Sequence, residues 1–211
     1  MTTFGFSAFL KLVSSSAKRQ RSLIAERVKG ERKSGYDFHK AMRGICGGYL
    51  IGGVSLADSR VLAEAIVKEA ERKSALTAID RVAAWRRERV ADAFTVASRI
   101  CESPTGIFKV RFDPDFGTTI DGQRVAIHLW NTKLPPLDAR LTRAALSLFP
   151  GLYEGLDDLA VLSLRNGQLV LLSEDADAAT IGANVVEALE DIFIEIRSGG
   201  TRPGAEEHPT P

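Results

Sequence analysis

The spacing of apolar residues predicts a chain in two parts, helical before Pro104 and built on strands after it. In the first part, apolar residues recur at helical spacing in successive segments. Ser55 fits the N-cap of one helix, with Asp58 in the capping-box position three residues later. The predicted helices cover about 6–13, 19–29, 36–50, 56–73 and 75–100, although the last two also fit one long helix.

Alternation of apolar and polar residues begins after Pro104 and predicts four strands in two hairpins. Asn166-Gly167 accepts the positive φ that a two-residue turn needs, and Asp121-Gly122 gives a similar signal at the start of a strand. One helix follows each hairpin. The predicted strands cover 107–112, 124–130, 159–164 and 169–172, and the helices cover about 138–148 and 177–197.

We therefore expect an α+β protein with a basic, all-helical N-terminal domain over 1–101 and an acidic α+β domain over 102–197. The second domain should be a ββαββα unit, with a four-stranded, mostly antiparallel sheet and its helices on one face. The tail over 198–211 contains glycine and proline and should be disordered.

The charge of the chain changes sign near the same boundary. Residues 1–101 hold 19 Lys and Arg against 10 Asp and Glu, whereas residues 102–211 hold 9 against 17, so the net charge of +1 hides the division. A basic region of this kind favours a polyanion or an acidic partner. Part of the basic excess can also be neutralised by the acidic region of the same fold.

The composition favours a cytoplasmic protein. Two cysteines, Cys46 and Cys101, are too few for a disulfide framework and are typical of a reducing compartment. No apolar stretch approaches the length of a membrane span. Residues 1–25 contain no acid and resemble an organellar transit peptide, but we favour a first core helix followed by a basic linker.

The predicted sheet would carry basic and aromatic side chains on one face. Such a face can hold single-stranded nucleic acid, with cations on the phosphates and a ring stacked on a base. The same face can instead dock the N-terminal helices, an interpretation that we favour because apolar faces prefer burial. The candidate residues are Lys109, Arg111, Arg124, His128 and Trp130, joined by Ser163 and Arg165 of the second hairpin.

The helical region offers two further clusters of cations. Arg81, Trp85 and Arg89 share one helix face by their spacing of four residues. Clustered cations suit phosphate contacts, although a solvated surface explains them equally well. The candidate residues are Lys18, Arg19 and Arg21 in the first cluster and Arg81, Trp85, Arg86, Arg87 and Arg89 in the second.

Catalytic signals in the sequence are weak. Cys46 lies among glycines, where a nucleophile could sit at a tight turn, but a buried small residue fits better. Asp113, Asp115 and Asp121 could hold a divalent cation, but their spacing matches no calcium loop and fits ordinary turns. No zinc-ligand spacing occurs, so we expect neither a metal nor a cofactor.

These observations favour a non-catalytic binding subunit of an intracellular assembly, whose helical half contacts nucleic acid or an acidic partner protein. One alternative is a salt-sensitive homo-oligomeric adaptor without nucleic acid, in which the regions of opposite charge associate. Another is an enzyme that uses Cys46 or the Asp113/Asp115/Asp121 loop. A protein partner or second copy is expected, and the sequence points to no membrane and no particular small-molecule substrate.

Overall fold

The computed structural model describes residues 1–30, 38–89 and 92–199, which form a mixed α+β structure of helices and two sheets. In chain order its elements are β1 (Thr2–Gly5), α1 (Phe6–Val13), α2 (Ala17–Val28), α3 (Lys40–Leu50), α4 (Leu56–Glu64), α5 (Glu69–Arg89), β2 (Ala93–Phe94), β3 (Arg99–Glu102), β4 (Phe108–Phe112), β5 (Phe116–Ile120), β6 (Gln123–Trp130), α6 (Ala139–Leu146), β7 (Asp158–Ser163), β8 (Leu169–Leu171) and α7 (Ala178–Arg197).

The first three predicted helices correspond to α1–α3, although positions 36 and 37 of the third prediction lie outside the described residues. The fourth begins as predicted, but α4 ends at Glu64 and not near residue 73. Ser55 caps α4 as expected, because its Oγ accepts a hydrogen bond from the backbone N–H of Asp58 at 3.1 Å. The predicted fifth helix is wrong at both ends, since α5 starts at Glu69 and the chain is extended at β2 and β3. Phe94 pairs with Gly117 of β5, and Ile100 pairs with Arg111 of β4, so this stretch is joined to both sheets instead of continuing the helix.

The predicted first hairpin is also wrong, because its two strands lie in different sheets. One sheet has the order β1-β4-β3, with β1 parallel to β4, and the other has the order β2-β5-β6-β7-β8. The unpredicted strand β5 pairs with β6 across Asp121-Gly122, whose φ angles of +49° and +82° fit the type I′ turn that the sequence indicated. The single four-stranded sheet and the ββαββα order are therefore replaced by two mixed sheets.

The second hairpin is confirmed as the antiparallel pair β7 and β8. Its partner strand β6 runs parallel to β7, because α6 crosses over between them as in a β-α-β unit. The five-stranded sheet is thus mixed. Its strands β6, from Val125 onward, and β7 are buried on both faces.

Helices cover both faces of the five-stranded sheet, which corrects the prediction of one covered face. The first apolar cluster joins α1, α2, α6, α7 and the three-stranded sheet to one face of β6, including Ala126 and Trp130. The second cluster joins α3 and α5 to the other face, including Ile127 and Leu129. The alternation of β6 therefore separates two cores.

Both clusters draw residues from either side of residue 101. Phe4 of β1 and Phe108 of β4 meet at 6.0 Å in the first cluster, while Trp85 of α5 and Phe116 of β5 meet at 5.8 Å in the second. The charge boundary therefore does not divide the packing. Across residues 1–30, 38–89 and 92–199, no helix is long and apolar enough to cross a membrane. Of the predicted tail, positions 200–211 lie outside the described residues.

Candidate functional site

The basic face that the sequence predicted does not exist, because its members lie on different sheets. Lys109 and Arg111 belong to β4, where they pair with Glu102 and with Asp113, the latter at 2.8 Å. Arg124 belongs to β6, donates to the carbonyl of Gly155 at 3.0 Å and lies over the Phe94 ring. Of the remaining candidates, His128 and Trp130 are buried within the first cluster or against it, Ser163 is buried in β7, and Arg165 is exposed.

The cations of α2 face acidic side chains of the same chain. Arg21 pairs with Glu195 of α7 at 2.6 Å, and this hydrogen bond and the carboxylate charge raise the pKa of Arg21. Arg19 lies 3.8 Å from Glu26 on its own helix. Lys18, the third candidate here, is exposed. The first cation cluster is therefore largely neutralised within the fold.

The cations of α5 instead line a groove against the turn between β7 and β8. Arg81, Trp85 and Arg89 form one wall, as their spacing predicted, and Arg165 of the turn lies on the other. Arg81 Nη1 donates to the carbonyl of Leu164 at 2.6 Å, which fixes the helix to the turn. The volume is about 390 Å³. We call this feature, defined by Arg81, Trp85, Arg89 and Arg165, the arginine groove.

Several donors of the arginine groove have no acceptor in the described part of the chain. Arg89 and Arg165 are exposed, and within residues 1–30, 38–89 and 92–199 neither forms a hydrogen bond or an ion pair. Trp85 is only 7% exposed, and its indole Nε1 has no partner there. Glu88 is the single acid of the lining. A buried donor without an acceptor is costly, but Nε1 has almost no exposed surface, so a ligand oxygen reaches it only after a local opening of the groove.

The two other arginines of the second cluster lie outside the arginine groove. Arg86 donates to the carbonyl of Tyr49 at 2.8 Å and stacks on the Tyr49 ring, 4.7 Å from its centroid. Arg87 is exposed and does not line the groove. Of the five predicted residues on α5, three therefore converge on one feature.

A second polar site, which the sequence did not reveal, joins Ser7, His128, Asp115 and Arg43. Ser7 Oγ lies 2.7 Å from His128 Nε2, and His128 Nδ1 lies 3.3 Å from Asp115 Oδ2. Arg43 Nη1 donates to Ser7 Oγ at 3.2 Å, and Arg43 Nε lies 3.8 Å from Asp115 Oδ1. We call these four residues the serine–histidine site.

Four separate elements position the serine–histidine site. Ser7 is the second residue of α1, directly after β1, and His128 is in the middle of β6. Asp115 precedes β5, where its Oδ2 also accepts from the backbone N–H of Leu129 at 2.7 Å. Since Ser7 and His128 lie 121 residues apart, no local pattern could have linked them.

The structure gives little support to the catalytic groups that the sequence suggested. Cys46 is fully buried, and this burial, with the nearby charge of Asp115, raises the pKa of its thiol to about 12. The thiolate is therefore scarce near neutral pH. Asp113 pairs with Arg111, and Asp121 lies in the β5–β6 turn. Among the described residues, no group of three or more His, Cys, Asp or Glu could hold a metal.

Comparisons with known proteins identify no family. No family model matches the chain, and no curated protein matches it either. Among solved structures, the chain is similar to the crystal structure of SSO0001, with 14% identity, 84% of each chain covered and a TM-score of 0.34. A similarity at this level supports no conclusion about function.

Proposed function

We propose that this chain is a binding subunit that holds nucleic acid through phosphate contacts in the arginine groove. The observation that carries the proposal is the convergence of Arg81, Arg89 and Arg165 on one concave surface with a single acid. Guanidinium groups present planar pairs of N–H donors that match phosphate oxygens.

The mode of binding follows from which groups are exposed. Trp85 is buried, so its ring has no free face for a base, and the same holds for Trp130. The arginine groove therefore contacts the phosphate backbone and not the bases. Such binding is weakly dependent on sequence and strongly dependent on salt, because each contact releases a counterion.

An acidic segment of a partner protein is the second candidate ligand, because carboxylates accept from the same donors. Phosphates are favoured here because all three cations of the arginine groove are arginines, whose planar donors suit phosphate oxygens. The two ligands are distinguished by competition, with a glutamate-rich peptide as the probe for the acidic partner.

The test is fluorescence anisotropy with a labelled oligonucleotide, single-stranded and duplex, over a range of salt concentrations. The double variant R89A/R165A should weaken binding about 10- to 100-fold at low salt, as expected for two lost hydrogen-bonded charges. It should also reduce the slope of log affinity against log salt by about two. Arg140→Ala is the matched control, since Arg140 is an exposed arginine at the start of α6, away from the groove.

Three outcomes decide between the candidates. An equal loss in R140A, or no salt-dependent binding by the wild type, would contradict the proposal. Binding of the glutamate-rich peptide without binding of either oligonucleotide would favour the acidic partner. Light scattering at the same salt concentrations separates ligand release from dissociation of a homo-oligomer, the other candidate that the charge division suggests.

A further inference from the structure

We propose that Ser7, His128 and Asp115 form a catalytic triad that hydrolyses carboxylic esters by acyl transfer to Ser7. This activity goes beyond binding at the arginine groove and uses a separate site. The ring of His128 packs against Phe6 and Phe112 of the first cluster, whereas Trp85 of the groove belongs to the second.

The geometry fits a nucleophile, a base and an orienting acid in series. The 2.7 Å between Ser7 Oγ and His128 Nε2 is within the range for a hydroxyl that donates to a general base. On the other side of the ring, Nδ1 faces two acceptors, Asp115 Oδ2 at 3.3 Å and the carbonyl oxygen of Asp113 at 3.0 Å. Both acceptors favour a proton on Nδ1, which leaves the Nε2 lone pair to accept the proton of Ser7.

Ser7 is the least buried of the three catalytic groups, and both groups behind it are shielded from solvent. Ser7 is half-buried, and the side chain of His128 beneath it is only 1% exposed. Asp115, with a side chain 10% exposed, is held by the N–H of Leu129. Ser7 is therefore the member of the triad nearest to solvent, while Phe6 and Phe112 pack against the imidazole.

Donors for a developing oxyanion are present beside Ser7. The Arg43 side chain is 16% exposed, and its Nη1 donates to Ser7 Oγ at 3.2 Å, which leaves the hydroxyl hydrogen directed at His128. Ser7 also lies in the first turn of α1, where backbone N–H groups lack intrahelical acceptors. Arg43 and these N–H groups supply the positive field that a tetrahedral oxyanion requires.

The reaction balances with water as the second substrate. Ser7 Oγ attacks the acyl carbon of the ester while its proton passes to His128 Nε2. The carbon–oxygen bond to the alcohol then breaks, and His128 returns that proton to the departing alcohol. Water next attacks the acyl-serine, giving one proton to His128 and forming the acid. His128 returns the proton to Ser7 Oγ, which restores the hydroxyl.

The test is covalent labelling of the full chain with a fluorophosphonate probe, mapped by mass spectrometry, with hydrolysis of p-nitrophenyl acetate measured in parallel. We expect one adduct, on Ser7, and loss of both labelling and hydrolysis above the buffer rate in Ser7→Ala. Ser14→Ala, at the other end of α1, is the matched control and should keep both. Asp115→Asn should slow hydrolysis at least 100-fold, since an amide in this position disfavours the productive imidazole tautomer.

The labelling of the wild type decides the proposal without reference to the stability of any variant. If the folded wild type carries no adduct on Ser7 at millimolar probe, or if Ser7→Ala is labelled and hydrolyses ester as the wild type does, the proposal is wrong. Arg140→Ala, which belongs to neither the serine–histidine site nor the arginine groove, should keep full esterase activity. The two sites share no residue. Failure of nucleic-acid binding and failure of esterase activity are thus separate results.

Discussion

Helices α2 and α5 carry similar clusters of cations in the sequence but differ in what surrounds those cations in the fold. On α2, Arg21 reaches Glu195 of the acidic helix α7. On α5, Arg81 and Arg86 reach only neutral carbonyls, those of Leu164 and Tyr49. The first cluster is therefore neutralised, whereas the second is fixed in place with its charge retained.

The difference shows that charge density along a chain is not the charge available to a ligand. A helix that packs against an acidic neighbour loses its positive potential at short range. A helix that packs against an apolar sheet keeps that potential, and Arg165 of the β7–β8 turn adds to it. The basic excess of residues 1–101 is therefore paired with acids at α2 and left without them at α5, where we propose that it binds phosphates.

The largest predicted change in stability concerns Glu190, an acid of α7 whose carboxylate accepts hydrogen bonds from Thr105, between β3 and β4. Arg21 of α2 pairs with a different acid of the same helix. Burial alone would raise the pKa of Glu190, but hydrogen bonds from Ser103 and Thr105 outweigh this and lower the pKa below the usual value. Glu190→Gln should reduce the free energy of unfolding at pH 7 by about 1–3 kcal/mol, because it weakens charge-assisted hydrogen bonds. Urea unfolding followed by circular dichroism measures the change.

The pH dependence provides the check on this assignment. Since the folded pKa of Glu190 is lower than the unfolded one, its ionised form contributes stability above about pH 4.3. This contribution is lost as the pH falls through the folded value, so the difference between wild type and Glu190→Gln should shrink below about pH 4. Glu187→Gln, an exposed acid of the same helix, should change little at either pH. An equal loss in both variants would mean that the net charge of α7, and not these hydrogen bonds, stabilises the fold.

Local signals in the sequence predicted the local features of the fold. Ser55 caps α4, Asp121-Gly122 forms its type I′ turn, and the Asn166-Gly167 turn joins β7 to β8. Each of these depends on residues close in sequence. The spacing of Arg81, Trp85 and Arg89 likewise placed them on one helix face, and that face lines the arginine groove.

Features that depend on distant contacts could not be predicted in this way. The alternation in β6 divided its residues between two faces, and we favoured docking of N-terminal helices on the face of His128 and Trp130. Helix α1 does pack there, with the Phe6 ring 5.3 Å from the His128 ring. Periodicity alone could not show which helix would cover this face, or which of its residues would meet His128. For the same reason, neither Arg165 opposite α5 nor Ser7 beside His128 could be assigned to a site before the fold was known.

A smaller effect on oligonucleotide binding is expected when the two tryptophans are substituted, because one lies at the arginine groove and the other does not. Trp85 and Trp130 are both buried with an unpaired indole N–H, but only Trp85 lines the arginine groove. Trp85→Phe should weaken oligonucleotide binding about 3- to 10-fold, the effect of one lost hydrogen bond to a phosphate. Trp130→Phe should leave the affinity unchanged in the same anisotropy assay. Equal effects of the two substitutions would exclude a ligand contact by Trp85.

The smallest predicted effect tests whether the cations of α2 fail to bind an oligonucleotide only because an acid of α7 neutralises them. Glu195→Gln removes the partner of Arg21 and should raise oligonucleotide affinity about twofold at low salt, with no gain at high salt. Stability should change little, because the pair is exposed and such pairs contribute little. Glu187→Gln changes the net charge equally without touching Arg21, so an equal gain in that variant would point to overall charge. A gain confined to Glu195→Gln would show that packing against α7, and not the sequence of α2, makes the first cluster inert.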